Sequence, residues 1–373
     1  MTLPEIRPAS ACRFDAVSLG EVMLRLDPGE GRIRTARSFT VWEGGGEYNV
    51  ARGLSRTFGL RTSVVTALVD NELGRLTENL ILAGGVDTSL IQWRDFDGVG
   101  REVRNALNFV ERGFGLRGAM GVSDRGHSAA SQLTPAGVDW DHLFGTLGVR
   151  WLHTGGIFAG LSESSAETAM AAMTAARRHG TLVSVDLNFR PSLWANGADA
   201  DGTDSRRARR VFTELAEHAD VLIGGSTDFT DRLGIADPVL DGAGTGTAAA
   251  DRLDLLAQRV LERFTGVSVV ASTVRRVVSA SVNDWSVVAH DRTGARIAST
   301  RYDGLEILDR VGGGDGFVSG LAYALLAGLP LDVAVNYGTA HGALAMTTPG
   351  DNSMATLAEV AALVSGAGSH VTR

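Results

Sequence analysis

The sequence predicts an α/β protein: a doubly wound, mostly parallel sheet with helices on both faces, plus a small β-sheet set apart from it. Three observations lead there. Short apolar runs of strand length alternate with amphipathic stretches of helix length through most of the chain. Glycine-rich turns at 43–46 and 312–314 each open onto a helix. Two stretches, about 32–43 and 87–117, break the alternation, the second placing Val103, Leu107, Phe109, Phe114 and Leu116 among polar residues and glycines.

Taken in order, 14–20 is an apolar run ending in glycine, and 21–26 with the turn Asp27-Pro28-Gly29 reads as the same strand and its exit. Further strands are expected over 62–69, 150–154, 182–187, 221–224, 267–272 and 285–290, with helices over 48–58, 72–83, 163–178, 205–217 and 252–264 between them. The segments 196–205 and 241–250, rich in Gly, Asp, Thr and Ala, read as surface loops. The two exceptional stretches read as a small β-sheet lid, a reading compatible with a dimerisation surface. The expected domain is 14–363, with tails at 1–13 and 364–373.

Composition narrows the function. With 373 residues and 44% hydrophobic content, the chain can bury a large core. A formal charge of −8 and a pI near 5.5 argue against nucleic acid or an acidic membrane as partner. A lone cysteine, Cys12, precludes an internal disulfide, and 1–13 carries no apolar signal core, so the expected location is cytoplasmic. All 35 basic residues are arginine. A chain without lysine has neither the P-loop lysine nor a Schiff-base mechanism, so any phosphate must be met by amides, arginine or a metal ion.

At the C-terminal end, Phe317, Val318, Leu321, Ala322, Leu325 and Leu326 form one apolar helix face that ends at Gly328 and Pro330. Gly312, Gly313, Gly314 and Asp315 precede it. The first amides of a helix have no internal partner, and the helix dipole makes that end positive, so a glycine turn there suits an anion. Asp315 beside the anion could take a proton from a hydroxyl and make it a nucleophile toward phosphorus. The competing reading is a plain strand-to-helix connection with Asp315 as its cap.

Glu43-Gly44-Gly45-Gly46-Glu47-Tyr48-Asn49 supplies a second glycine-lined helix start. The pairing resembles the ribokinase-like (PfkB) carbohydrate kinase family over roughly 14–363. The resemblance implies that Gly45, Gly46 and Asn49 hold sugar hydroxyls, that Gly312, Gly313 and Gly314 form an anion hole, that Asp315 is the catalytic base, and that Asp309 supports a monovalent cation such as K+ as in some members. The passages Gly20-Glu21-Val22-Met23, 186–194, Asp309-Arg310-Val311 and Thr348-Pro349-Gly350-Asp351 are similar to 2-keto-3-deoxygluconate kinases.

On that resemblance, Arg190 is the expected ligand of a substrate carboxylate, which a planar guanidinium grips bidentately, the alternative being an arginine paired with a structural acid. Arg275 would meet nucleotide phosphates, and Asn336, Ala340 and Gly342 would line an adenine pocket, with His341 a packing neighbour. The six tryptophans read as packing or lid-surface groups. One departure matters: where the family carries Asn-x-x-Glu to organise Mg2+ and its waters, this chain has Gly225, Ser226, Thr227 and Asp228, so Asp228 alone would serve the metal. Gly316 also replaces a small residue that usually bears a side chain. The implied activity is ATP-dependent phosphorylation of 2-keto-3-deoxygluconate to its 6-phosphate, with ATP and Mg2+ as cofactors and a homodimer through the lid. The alternatives are a kinase for another sugar such as fructose, or a sugar-binding relative that has lost efficient metal positioning.

Overall fold

The structure, a computed structural model, describes residues 3–195, 204–238 and 249–367. In chain order its strands and helices are β1 (Phe14–Leu19), β2 (Met23–Asp27), β3 (Thr40–Gly44), α1 (Gly46–Arg56), β4 (Thr62–Val69), α2 (Glu72–Ala83), β5 (Ile91–Arg94), β6 (Leu107–Glu111) and β7 (Met120–Asp124). Then come β8 (Val149–Gly155), α3 (Gly156–Gly160), α4 (Glu163–Arg178), β9 (Leu182–Asp186), α5 (Ser205–Glu217), β10 (Val221–Ile223) and α6 (Ala249–Arg263). The last third holds β11 (Val269–Ser279), β12 (Val282–Asp291), β13 (Arg296–Ala298), β14 (Tyr302–Glu306), α7 (Gly313–Leu326), α8 (Leu331–Ala345) and α9 (Leu357–Val364). Two compact units share this chain. The first comprises the described residues of Met1–Arg13, Leu133–Thr273 and Val288–Ala298, and the second those of Phe14–Gln132, Val274–Val287 and Ser299–Arg373.

In the first unit β8, β9, β10 and the start of β11 pair in parallel, with Leu152 opposite Val183, Leu222 opposite Val185 and Val270 opposite Leu222. Their residues are almost all buried, as strands covered on two faces must be. Inside, the Ser184 hydroxyl meets Trp151 Nε1 at 2.7 Å and His153 Nδ1 at 2.8 Å. Burial lowers the pKa of His153 to about 3, so it stays neutral. The helices start where their caps dictate. Ser162 and Ser165 form a reciprocal capping box on α4, and Asp204 accepts the Arg207 amide at 2.9 Å on α5. The expected N-terminal tail is tied down here: Arg13 N–H donates to Leu147 O at 2.8 Å, and Cys12 is buried.

In the second unit β1, β4 and β5 pair in parallel, and all eight residues of β4, Thr62–Val69, are buried or nearly so. A separate four-stranded sheet runs in the order β3-β2-β6-β7, antiparallel except for the parallel pair β2–β6. Its composition corrects the sequence reading in three places. Residues 23–27 are not the exit of the first strand: β1 ends at Leu19, and Met23–Asp27 takes a central place in the small sheet. Ile91–Arg94 leaves the small sheet and pairs with β4. The edge strand Met120–Asp124 lies beyond 117, and since all five of its residues are exposed it has no buried face for a pattern to reveal.

Two further strands, β13 and β14, pair antiparallel with β12 and were not anticipated. The loop expectations for 196–205 and 241–250 lie mostly outside the described residues, but Ser205 opens α5 and Ala249 opens α6. Helices α7 and α8 pack closely through glycines: a Cβ on Gly320 would stand 2.6 Å from Tyr337 O, and one on Gly338 would stand 2.6 Å from Phe317 O.

Candidate active site

The first turn of α7 is built around Gly312, its N-cap, which adopts φ 82°. That left-handed conformation favours glycine, and a side chain there would in addition overlap the carbonyl oxygen of Asp351. Gly313 backs onto Met346, whereas a Cβ on Gly314 would meet nothing within 4 Å. Gly316 N–H donates to Gly312 O at 2.7 Å and closes the helix, so the amides of Gly312 to Asp315 have no helical carbonyl four residues before them. Asp315 is the third residue of α7 rather than its cap. Its Oδ2 accepts a hydrogen bond from Asn49 Nδ2 at 2.7 Å, a contact between residues 266 apart in sequence.

Asn49 belongs to the first turn of α1, where the glycines also divide by task. Gly45, at φ 155°, lies so close to the Glu21 carbonyl that any side chain would overlap it, and Gly44 is pressed in the same way against the Asp351 carboxylate. Gly46 alone stands clear, its Cβ position 3.7 Å from Asp315 Oδ1, an ordinary contact. The structure therefore brings Gly46 and Asn49 to the Asp315 carboxylate, with Gly314 open beside it in the chain. Asn49 Oδ1, buried, has no hydrogen-bond partner among the described residues.

Behind this group lie ionic contacts that sequence reading missed. Glu21, which is buried, accepts from Arg125 Nε at 2.8 Å and from the Ser128 hydroxyl. Arg25 on β2 is fully buried, with Nη1 on Asp351 and Nη2 on Asp309, and Asp27 lies 3.4 Å from Nη2. Burial pushes the pKa of Asp309 and Asp351 up while Arg25 pulls them down, and the net is upward because burial outweighs the guanidinium, with the neighbouring carboxylates adding a smaller push in the same direction. Burial also disfavours the charge on Arg25, but Asp351 and Asp309 more than offset it and its pKa rises. No spacing rule announces such a cluster, since its members sit at 25, 27, 309 and 351.

The expected nucleotide residues fare differently. Arg275 stands beside Arg310 on a cavity of about 320 Å³ that also takes in Leu116, Val277 and Val278. Desolvation and the neighbouring Arg310 both lower the pKa of Arg275, and neither guanidinium has a carboxylate partner among the described residues. Asn336 is committed at both ends, accepting Thr300 N–H at 2.9 Å and donating to Asp332 O at 2.8 Å. Ala340 is fully buried, and Gly342 is held against α7, where a Cβ would stand 2.5 Å from Gly313 O. Gly342 thus serves the packing of α8 on α7. The same closeness accounts for Gly316, whose Cβ would come within 3.0 Å of Gly342 Cα. His341 is buried, with Nδ1 2.8 Å from Gly316 O, and burial lowers its pKa to about 4.

In the first unit, Gly225 N–H donates to Asp228 Oδ2 at 2.9 Å. Burial raises the pKa of Asp228, against the pull of that amide, Arg232 and Arg190. Arg190 is exposed, has no carboxylate within ion-pair distance among the described residues, and acts on Asp228 through its charge alone. Among the described residues no three His, Cys, Asp or Glu side chains gather as a metal cage. Asp228 Oδ1 takes no part in the contact with Gly225, so it is the carboxylate oxygen of this turn that would meet a divalent ion.

The model of the pfkB family of carbohydrate kinases matches residues 127–357. The chain belongs to that family. It is thus a carbohydrate kinase, with ATP as phosphoryl donor and a small-molecule sugar as acceptor. The crystal structure of 2-dehydro-3-deoxygluconokinase from Thermotoga maritima superposes with a TM-score of 0.82 at 33% identity, covering 94% of this chain and 99% of that one. A 2-dehydro-3-deoxygalactonokinase of Haloferax volcanii is 28% identical over 360 residues, 96% of this chain and 99% of its own. A 5-dehydro-2-deoxygluconokinase of Geobacillus kaustophilus is 25% identical over 354 residues, 93% and 92% of the two chains. Among the described residues, no helix of the kinase is long and apolar enough to cross a membrane.

Proposed function

We propose that this kinase transfers the γ-phosphoryl group of ATP to the terminal hydroxyl of 2-keto-3-deoxygluconate, giving the 6-phosphate and ADP. The observation that carries the reading is the hydrogen bond from Asn49 to Asp315, flanked by the clear faces of Gly46 and Gly314. A sugar hydroxyl beside Asn49 lies within reach of the Asp315 carboxylate. Asp315 takes the hydroxyl proton, the oxygen forms a bond to the γ-phosphorus, and the bond from that phosphorus to the β-γ bridging oxygen breaks. Amides of the Gly312–Gly314 turn meet the charge on the transferred group, and they need no reorganisation to do so.

Arg275 and Arg310, two guanidiniums without carboxylate partners among the described residues, suit the nucleotide phosphates. Asp228 is the carboxylate proposed to hold Mg2+, which when bound would supply positive charge to the nucleotide phosphates. Arg190, exposed and without an ion-pair partner among the described residues, is the proposed ligand of the substrate carboxylate. That choice is supported by the relatives, whose names all specify keto-deoxy sugar acids. The small sheet is proposed to act as a lid that excludes water and as the surface of a homodimer, with Met120 and Val122 exposed on its edge strand β7 and Phe114 and Leu116 exposed in the connection that leads to it.

ADP release tests the reading directly on a panel of 2-keto-3-deoxygluconate, its galactonate epimer, 5-keto-2-deoxygluconate and fructose. Turnover is expected with the first, and preference for acids over fructose. Turnover of fructose alone would remove Arg190 from its role, and none with any acid would overturn the proposal.

A further inference from the structure

Asp309 lies six residues before Asp315 and belongs to the turn that leads into the anion-binding start of α7. Its Oδ1 accepts the Val311 amide at 3.2 Å, and its own amide donates to Met346 O at 3.2 Å. Residues of this kind can carry a monovalent cation, whose charge holds the turn in place. Here the other carboxylate oxygen is bonded to Arg25, a side chain with no exposure to solvent. The same guanidinium holds Asp351 through its second terminal nitrogen. Asp351 in turn touches both glycine starts: its carbonyl lies against Gly312 and its carboxylate against Gly44, and the next residue donates from Asn352 Nδ2 to Glu43 O at 2.8 Å.

The donor set does not fit a bound potassium or sodium ion. A cation at Asp309 would face a buried guanidinium a few ångströms away, and like charges at that range in a poorly screened interior repel strongly. Charge is instead distributed over fixed side chains: Arg25 faces Asp27, Asp309 and Asp351, and Arg112 supplies a second guanidinium to Asp27 at 3.3 Å. We propose that Arg25 does permanently what an exchangeable monovalent cation would do, neutralising Asp309 and Asp351 and thereby fixing the two glycine starts, so that the enzyme works without K+ or Na+. Arg25 is a positioning residue, since it acts through Asp309 and Asp351. It also sits on a central strand of the small sheet, so movement of that strand is coupled to the anion turn.

The inference rests on the kinase reading for its activity arm only; a thermal-unfolding arm needs no turnover and separates the two. Wild-type enzyme is compared in choline chloride and in KCl at equal ionic strength, followed by Arg25→Gln, which keeps most of the side chain but removes its charge. Wild-type melting temperature and kcat are expected to be the same in both salts. Arg25→Gln is expected to melt about 10 °C lower, the effect of breaking a buried ion pair. Its kcat, rather than its KM for ATP, is expected to fall about tenfold or more through lost positioning, and KCl or guanidinium chloride at low concentration should restore part of both losses where choline does not. Arg25→Lys, which keeps a positive charge, should recover more than Arg25→Gln and should not respond to potassium. Specific potassium activation or stabilisation of the wild type would overturn the proposal even if Arg25→Gln cannot be purified. So would an Arg25→Gln protein indifferent to every cation.

Discussion

The two glycine-rich helix starts look alike in sequence and do different things in the structure. At the start of α1, Gly44 and Gly45 are glycines because Asp351 and the Glu21 carbonyl press against them; at the start of α7, Gly312 is one because of its φ of 82° and the Asp351 carbonyl. Only Gly46 in the first and Gly314 in the second stand clear on the side that Asp315 faces or leaves open. Most of what reads as a ligand cradle is therefore packing, and one loop residue, Asp351, braces both starts. The ligand-facing part reduces to Gly46, Asn49, Gly314 and Asp315.

Substitutions can break that division. The largest effect is expected at Asp315: Asp315→Asn should lower turnover by about two to four orders of magnitude while leaving ATP affinity nearly unchanged, as steady-state kinetics and nucleotide titration would show. Gly312→Ala combines left-handed strain with a clash against Asp351 and should cost about 3 kcal/mol of stability in denaturant unfolding. Gly314→Ala is the sharpening control. It should change stability by less than about 1 kcal/mol, since alanine suits a helix better than glycine, yet it should lower kcat by crowding the proposed phosphoryl position. If Gly314→Ala unfolds the protein as readily as Gly312→Ala, the distinction between bracing and cradling glycines fails.

Asn49→Ala removes a donor to a carboxylate and should lower kcat/KM by about tenfold to a hundredfold, a loss of about 1.5 to 3 kcal/mol, with the melting temperature little affected. The smallest effect concerns the buttress behind the second start. His341 is held neutral by burial, with a pKa lowered to about 4. Above about pH 6.5 neither folded nor unfolded chain protonates it, and it contributes nothing to the pH dependence. As pH falls below that value the unfolded chain takes up the proton first, so stability is lost between about pH 6.5 and 4, by about 1 to 2 kcal/mol at pH 5. His341→Gln should flatten that part of the stability profile, leaving the similar contribution of His153 in the first unit.

Sequence legibility follows the range of the interaction. The limits of α2, α4 and α5 and of β4 are written locally, in caps such as Asn71, Ser162 and Asp204 and in an unbroken β-rich run. The small sheet was only half legible, because Met23–Asp27 looks like the end of the strand before it and Met120–Asp124 has no buried face. In the site, the glycines and Asp315 could be picked out by type and spacing, but not which glycines brace and which face a ligand. That depends on Glu21 and Asp351, distant in sequence. The contacts of Arg25 with Asp309 and Asp351 span 284 and 326 positions, and nothing local encodes them. Ala340 and Gly342 are expected at an adenine pocket from the resemblance alone, and no local pattern shows that Gly342 is pressed against Gly313 of α7.

A crystal structure of the enzyme with a non-hydrolysable ATP analogue, Mg2+ and 2-keto-3-deoxygluconate tests the role of Asp315 as the base. The terminal hydroxyl of the sugar acid is expected within hydrogen-bonding distance of Asp315, other hydroxyls on Asn49, and the terminal phosphate at the clear face of Gly314. A sugar acid bound with that hydroxyl directed away from Asp315, or a phosphate remote from Gly314, would contradict it.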